Sequence, residues 1–319
     1  MRIFLATIIA LALPFAANAQ SLKGVVQGQP ISIVEPALSD VWKLEEVTDG
    51  SVPAEIVPDT REDARNGLPD GKIAVPQKKN DIAEAWYSEP TKRYRHGVLG
   101  DATEAGALIV KTPRGVKLTY RLPSTEVFED ITPRLVDLDR DGKTEVVTIL
   151  SSSREGGSIA VFGLAGNALI KKAQGPFIGR SNRWLNIAGI AQFTGQRNLE
   201  IATVEMPHLA GLLKFYRYRN GKLDVSRFTP GFSNHEIGSG ELRLSSVVHV
   251  DDDNRPDLIV PNSNRNELLM VSFVSGTLKL LSRVALPARI DKAIKVEGSR
   301  ADLRITVGLS DGRIFKISR

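Results

Sequence analysis

An all-β fold, a β-propeller of five to seven four-stranded blades, is what this sequence predicts, and three observations predict it. An acidic motif, Asp137-Leu-Asp139-Arg-Asp141-Gly142-Lys143-Thr144-Glu145, lies between apolar runs rich in β-branched residues. A unit made of an aliphatic strand, a polar gap and an alternating hairpin recurs along the chain. Amphipathic helical periodicity is scarce beyond the N-terminal segment.

The N-terminus reads as a targeting segment. Arg2 supplies a positive start, Ile3 to Leu13 an apolar core, and Ala17-Asn18-Ala19 a small-residue cleavage site. Residues 1–19 are therefore expected to be a signal peptide cut after Ala19, leaving a periplasmic or secreted protein with no membrane span. The chain has no cysteine, which removes disulfides, thiolate metal sites and a lipidated Cys, and favours a bacterial periplasmic setting. Residues 20–90 form an N-terminal extension. Its short strand-like runs (31–34, 41–47, 73–75, 84–87) flank a Pro- and Gly-rich loop over 53–80. Those runs add partial blades or complete the last one. The propeller proper is expected over 91–319.

Glu145-Val-Val-Thr-Ile-Leu150 is followed by Gly157-Ser-Ile-Ala-Val-Phe162, a turn at Gly166-Asn167, and Ala168-Leu-Ile-Lys171. The pattern returns as Glu200 to Glu205, Gly211 to Tyr216, a turn at Asn220-Gly221, and Lys222 to Val225. It returns again as Asp257 to Val260, Leu268 to Phe273 and Thr277 to Leu280, and in shortened form as Asp302 to Val307 and Gly312 to Ile317. Ala107 to Val110 and Gly115 to Tyr120 are an earlier copy. The units start roughly 40–60 residues apart, the length of a propeller blade. Asn-Gly between alternating runs is a hairpin signal. A single such sheet cannot bury both faces, whereas radial stacking can. Two packed β-sandwiches are the alternative architecture.

In the acidic motif the carboxylates occupy positions 1, 3, 5 and 9, and Gly142 permits the turn at position 6. Alternation aims the odd side chains at one point, and hard oxygen donors at this density suit Ca²⁺. An EF-hand is excluded: the flanks are strand-like, and position 12 is Thr148 rather than Glu. Over residues 92–319 the chain resembles the FG-GAP or VCBS repeat family of integrin-α-like β-propellers, on the motif just quoted and on His249-Val-Asp251-Asp-Asp253-Asn254-Arg-Pro-Asp257. That resemblance implies a Ca²⁺-stabilised propeller used for binding or adhesion. It assigns Asp137, Asp139, Asp141 and Glu145 as ligands, with the Lys143 carbonyl at position 7. In the second loop it leaves Asp251, Asp253 and Asp257, with His249 replacing the first Asp and Asn254 replacing the glycine. Imidazole is a poor Ca²⁺ ligand, so this loop reads as weak or degenerate. Gln192 to Glu200 keeps the loop length but loses three carboxylates.

The formal charge is +5 and the basic residues are scattered, which argues against a nucleic-acid partner. No catalytic motif is present. His235-Glu236 lacks the second histidine of a zinc-protease helix, and Gly238-Ser239-Gly240 is too short for a phosphate loop. The four histidines, none spaced as a pair, read as surface or loop residues. Arg93, Arg95, Arg134, Arg183, Arg243 and Arg289 each precede a unit, so they are expected on one face as a guanidinium set suited to carboxylates or phosphates. Trp86, Trp184 and Tyr94 could offer stacking surfaces there. The expected function is a non-enzymatic binding module for a protein or an anionic glycan. The alternative is a hydrolase or lyase acting on an acidic polysaccharide or phosphoester at the basic channel mouth.

Overall fold

The computed structural model describes residues 28–34, 42–48, 60–62, 68–78, 80–274 and 276–319, and the proposed signal peptide lies outside them. Among the described residues no helix is long and apolar enough to cross a membrane. The chain opens with four short strands: β1 (Gln29–Pro30), β2 (Ile33–Val34), β3 (Lys43–Glu46) and β4 (Thr60–Glu62). The first blade follows as β5 (Lys72–Ala74), β6 (Glu84–Thr91), β7 (Glu104–Lys111) and β8 (Lys117–Arg121). A connector, β9 (Glu126–Phe128), leads to the second blade: β10 (Arg134–Val136), β11 (Glu145–Ser152), β12 (Gly156–Ala165) and β13 (Ala168–Gln174). The third blade is β14 (Leu185–Ala191), β15 (Glu200–Glu205), β16 (Leu212–Arg219) and β17 (Lys222–Thr229). The fourth is β18 (Ser246–Val248), β19 (Asp257–Pro261), β20 (Glu267–Val274) and β21 (Thr277–Ala285). The fifth contains β22 (Lys295–Glu297), β23 (Arg304–Gly308) and β24 (Ile314–Ser318).

Within each blade successive strands pair antiparallel in chain order. The aliphatic strand after each acidic or polar loop is the second of its blade, because a first strand, three residues long in the second, fourth and fifth blades and seven in the third, precedes the loop and forms the edge. That interior place explains its composition: all eight residues of β11 and all six of β15 are buried. Asn220 and Gly221 both take positive φ, as the tight turn joining β16 to β17 requires.

Side-chain alternation sends each interior strand into two cores. Val146 and Leu150 of β11 pack with Tyr87, Leu108 and Val110 of the first blade, while Val147 and Ile149 pack with Leu185, Ile201 and Tyr216 of the third. Leu258 and Val260 of β19 meet Ala202, Val204 and Phe215 of the third blade, and Ile259 meets Ile305, Val307 and Phe315 of the fifth. Four apolar cores thus lie between five consecutive blades. A pair of sandwiches would leave outer faces polar; interior blades buried on both faces are the propeller solution.

The extension threads through this stack. β1 runs parallel to β17 (Gln29 beside Arg227) and β2 parallel to β21 (Ile33 beside Leu278), while β3 pairs antiparallel with β24 and supplies the fourth strand of the fifth blade. A division at residues 90 and 91 would fall inside β6; the strand-like run at 73–75 is β5, which interrupts the stretch over 53–80 read as loop. β9 pairs with the end of β11 and touches β7 at Ala105, so the first two blades form one continuous sheet.

One ion pair sits inside the stack. Lys214 Nζ is 2.6 Å from Glu205 Oε2 with both side chains 3 % exposed, and Tyr216 Oη donates to Glu205 Oε1 at 2.6 Å. Removing one partner strands the other charge in the core. Lys214→Ala is expected to cost about 3–5 kcal/mol in urea unfolding, whereas Lys214→Met combined with Glu205→Leu should cost less than that single change.

Candidate functional site

Antiparallel order divides the loops between two ends of the stack. Loops joining first to second strands, and the third-to-fourth hairpins, emerge at one end. Loops joining second to third strands, and the connections between blades, emerge at the other. The acidic loops occupy the first end. The six arginines singled out from the sequence, and all four histidines except His249, occupy the second.

In the first acidic loop, Asp137, Asp139 and Glu145 each offer a carboxylate oxygen within 4.8 Å of the others. The loop is also closed by its own backbone. Asp137 accepts N–H bonds from Asp141 and Gly142 at 3.0 Å, Asp141 accepts from Lys143 at 2.8 Å, and Glu145 Oε2 accepts from Leu138 at 2.9 Å. Asp141 stands apart from the converging trio, and the exposed Lys143 joins through its N–H. Asp139 Oδ1 is buried without a hydrogen-bond partner, an orphaned acceptor that a cation would satisfy. Glu145 Oε1, however, is held by Lys172 Nζ at 2.7 Å. Burial pushes the Lys172 pKa down, but the bond to Glu145 and its charge outweigh this and hold the ammonium on.

The second loop brings together Asp251, Asp253 and Asp257. His249 turns away: its Nδ1 is 2.8 Å from the Arg255 carbonyl, the position-7 oxygen of this loop. Asn254 takes φ 61°, matching Gly142 at 87°. Asp257 is fully buried; its Oδ2 accepts from Val250 N–H at 2.7 Å, and its Oδ1 has no partner. The two loops therefore differ in a way spacing does not reveal. The one with four carboxylates already has a lysine on one of them, and the one with three has a fully buried orphan oxygen. In both, the donors are the hard oxygens that Ca²⁺ takes, so the residues fit the ion. The metal-free counterpart closes through Glu200, which accepts from Thr194 N–H at 2.8 Å and Thr194 Oγ1 at 2.9 Å and pairs with Arg217 at 3.2 Å.

At the opposite end the arginines are engaged one by one. Arg93 donates to the Glu126 carbonyl, Arg134 pairs with Asp130, Arg243 forks onto Glu241 at 2.7–2.8 Å, and Arg183 donates to the Asn182 carbonyl at 2.9 Å. Arg95 and Arg289 are exposed. Trp184 is buried between the second and third blades, Trp86 is buried under Lys117 of its own blade, and Tyr94 is buried with its hydroxyl accepting from Asn182 N–H.

What this end assembles instead is a buried polar chain. Glu129, fully buried, has Oε1 at 2.6 Å from His96 Nδ1 and Oε2 bonded by Ser151 Oγ; its carbonyl accepts from Trp184 Nε1 at 3.0 Å. Trp184 packs on His235 with ring centroids 4.6 Å apart. His235 Nε2 is 2.7 Å from the Ser239 carbonyl and its Nδ1 is 3.0 Å from His208 Nε2. Arg265 donates to the His235 carbonyl at 2.7 Å and pairs with Glu236. The Ser151–Glu129–His96 trio has its carboxylate in the middle. Activating a serine requires the imidazole between hydroxyl and acid, so this order does not prepare a nucleophile. Beside the trio, Asp70, Asp101, Glu104 and Asp130 line a small recess. Burial, then the neighbouring carboxylates led by Glu129, raise Glu104 to about 9; burial and Asp101 raise Asp70 to about 6. The histidine pair carried no sequence signal, because its members lie 27 residues apart in a second-to-third loop and a blade connection.

No family model and no curated protein matches the sequence. Solved structures similar to it include BBS1N in complex with ARL6DN, soaked with lead (10 % identity, TM-score 0.43, covering 77 % of this chain and 64 % of that one). The same complex soaked with mercury gives 11 % identity and a TM-score of 0.41, covering 79 % and 66 %. The chain thus spans 64 % of the length of the first of these structures. The five stacked blades, rather than this likeness, define the fold.

Burial, then the charges around them, hold His208 near 4 and His235 near 3, below the ordinary value of 6.5. Between about pH 4 and 6.5 the unfolded chain binds protons that the folded one refuses, so these histidines add stability above that window and withdraw it on acidification. Glu104 and Asp70 act in the opposite sense. The clean readout is a difference: the melting temperature of the wild type should fall relative to that of His235→Gln as pH drops from 6.5 to 4.

Proposed function

We propose that this chain is an exported, calcium-stabilised β-propeller acting as a non-enzymatic binding module for a protein partner. The observation that carries the reading is a pair of exposed aliphatic side chains, Leu209 (67 % exposed) and Ile237 (58 %), at the connecting-loop end. Each follows a histidine closely in sequence, and the two histidines bond at 3.0 Å, so the loops presenting Leu209 and Ile237 share one buried root. Two large apolar groups held in water on rigidly rooted loops gain from being covered. The exposed Arg95 and Arg289 at the same end suit acidic groups on such a partner, or an anionic glycan in its place.

Calcium supports the scaffold in this reading. Asp137, Asp139 and Glu145, and separately Asp251, Asp253 and Asp257, would hold the ion, which binds the folded loops and not the open chain. Export rests on Arg2, the apolar run to Leu13 and the Ala17-Asn18-Ala19 site.

Two measurements test these parts separately. EDTA should lower the melting temperature, and Asp139→Asn combined with Asp257→Asn should abolish that sensitivity; equal melting with and without chelator removes calcium from the account. A photo-crosslinker placed at residue 209 should trap a discrete protein in intact cells, and Ile237→Asp should suppress the adduct. An absent adduct, or one indifferent to Ile237→Asp, rules out this face.

A further inference from the structure

At the acidic-loop end, the third and fourth blades leave an open groove between them, beside the second acidic loop, which contributes Arg255 to it, and away from the partner face. Three guanidinium groups line it: Arg217 from β16, Arg227 from β17, and Arg255 from the loop between β18 and β19. The Thr194 and Ser226 hydroxyls stand beside them, and Gly276 forms part of the opposite wall. A Cβ built on Gly276 would come 4.0 Å from Arg227 Nη2, so this wall lies within contact range of that guanidinium.

The charges here are incompletely matched. Arg217 pairs with Glu200 at 3.2 Å, but Glu200 is buried and shared with Thr194, and Arg217 Nε is buried without a hydrogen-bond partner. Arg255 donates to the Phe273 carbonyl at 3.2 Å, and its Nε stands 3.9 Å from Asp253, beyond hydrogen-bond reach. Arg227 has no acidic partner among the described residues. Like charges gathered in a partly desolvated groove repel unless an anion joins them. Guanidinium forks brought together from two blades match the several acceptors of a tetrahedral oxyanion better than the two of a single carboxylate.

We propose that this groove binds a phosphate or sulfate group, free or as an ester on a larger anionic molecule. Arg227 and Arg255 hold its charge, and Arg217 adds a third guanidinium to the lining. The proposal is independent of the protein-binding face, since the two sites lie at opposite ends of the blades.

Calorimetric titration of the full chain at low ionic strength, with sodium phosphate in one arm and heparin in the other, tests it. Arg227→Ala should weaken binding about tenfold or more, as loss of a charge-assisted hydrogen bond implies. Arg255→Ala should do likewise. Having no ion-pair partner to strand, Arg227→Ala should melt like the wild type, so lost binding is not lost folding. Binding of phosphate supports a site for the free ion, and binding of heparin alone supports a site for the ester. Leu209→Asp should change neither arm, which separates this result from the fate of the partner face. If neither probe binds, or if both arginine variants bind as tightly as the wild type, the proposal is overturned.

Discussion

The constraint on which the structure depends is that its interior strands are apolar on both faces. β11 buries Val146 and Leu150 to one side and Val147 and Ile149 to the other, and β19 does the same with Leu258 and Val260 against Ile259. At about 1.5–3 kcal/mol for each fully buried aliphatic side chain, no sheet of this kind can leave a face in water. Each blade therefore needs a neighbour on both sides, and order along the chain becomes order around the stack. The fifth blade shows the same demand at its edge. β24 would expose a row of unpaired backbone groups, and β3 covers them from the far end of the sequence, with Arg319 lying over Trp42 beside it.

Once the blades are stacked, the loops inherit positions they did not have to specify. This shows in the last residue of the acidic loops. Glu145, Asp257 and Glu200 all open a second strand, and each accepts an N–H from near the start of its own loop, from Leu138, Val250 and Thr194 respectively. That carboxylate closes the loop whether or not other acids remain around it. A loop tied in this way can lose three carboxylates, as Gln192 to Glu200 has, and keep its shape. The balancing charge can then come from the protein itself, as Lys172 does for Glu145 and Arg217 for Glu200.

Much of this was legible in the sequence. The recurrence of aliphatic strand, gap and hairpin located all five blades, the first through its last two strands, and Asn220-Gly221 marked one turn by its chemistry. The short first strands were not legible, because three residues such as Arg134 to Val136 or Ser246 to Val248 carry no readable period. The first two strands of the first blade were read as strand-like runs at 73–75 and 84–87, as β5 and β6 are, but were assigned to the extension rather than to the propeller. Neither could spacing foresee that His249 bonds a carbonyl, or that Lys172 reaches Glu145 from two strands away. Those contacts depend on where neighbouring strands deliver their side chains, and a single loop read alone holds no information about its neighbours.

The two ends of the stack differ in how they handle charge. At the connecting-loop end, burial favours neutral groups: His208 and His235 lose their protons and Glu104 keeps its own. At the root of this end Arg134 pairs with Asp130 and Arg265 with Glu236, while Arg95 and Arg289 stand exposed at its surface. An end built this way is rigid and electrically quiet at its root, which suits loops that must hold Leu209 and Ile237 in a fixed relation. The acidic-loop end retains formal charge of both signs: carboxylates converge within 4.8 Å in two loops, and arginines line the groove between the third and fourth blades. The two ends thus differ in the groups they gather, neutralised buried ones at one and converging charges at the other, and the difference follows from which loops the antiparallel order sends where.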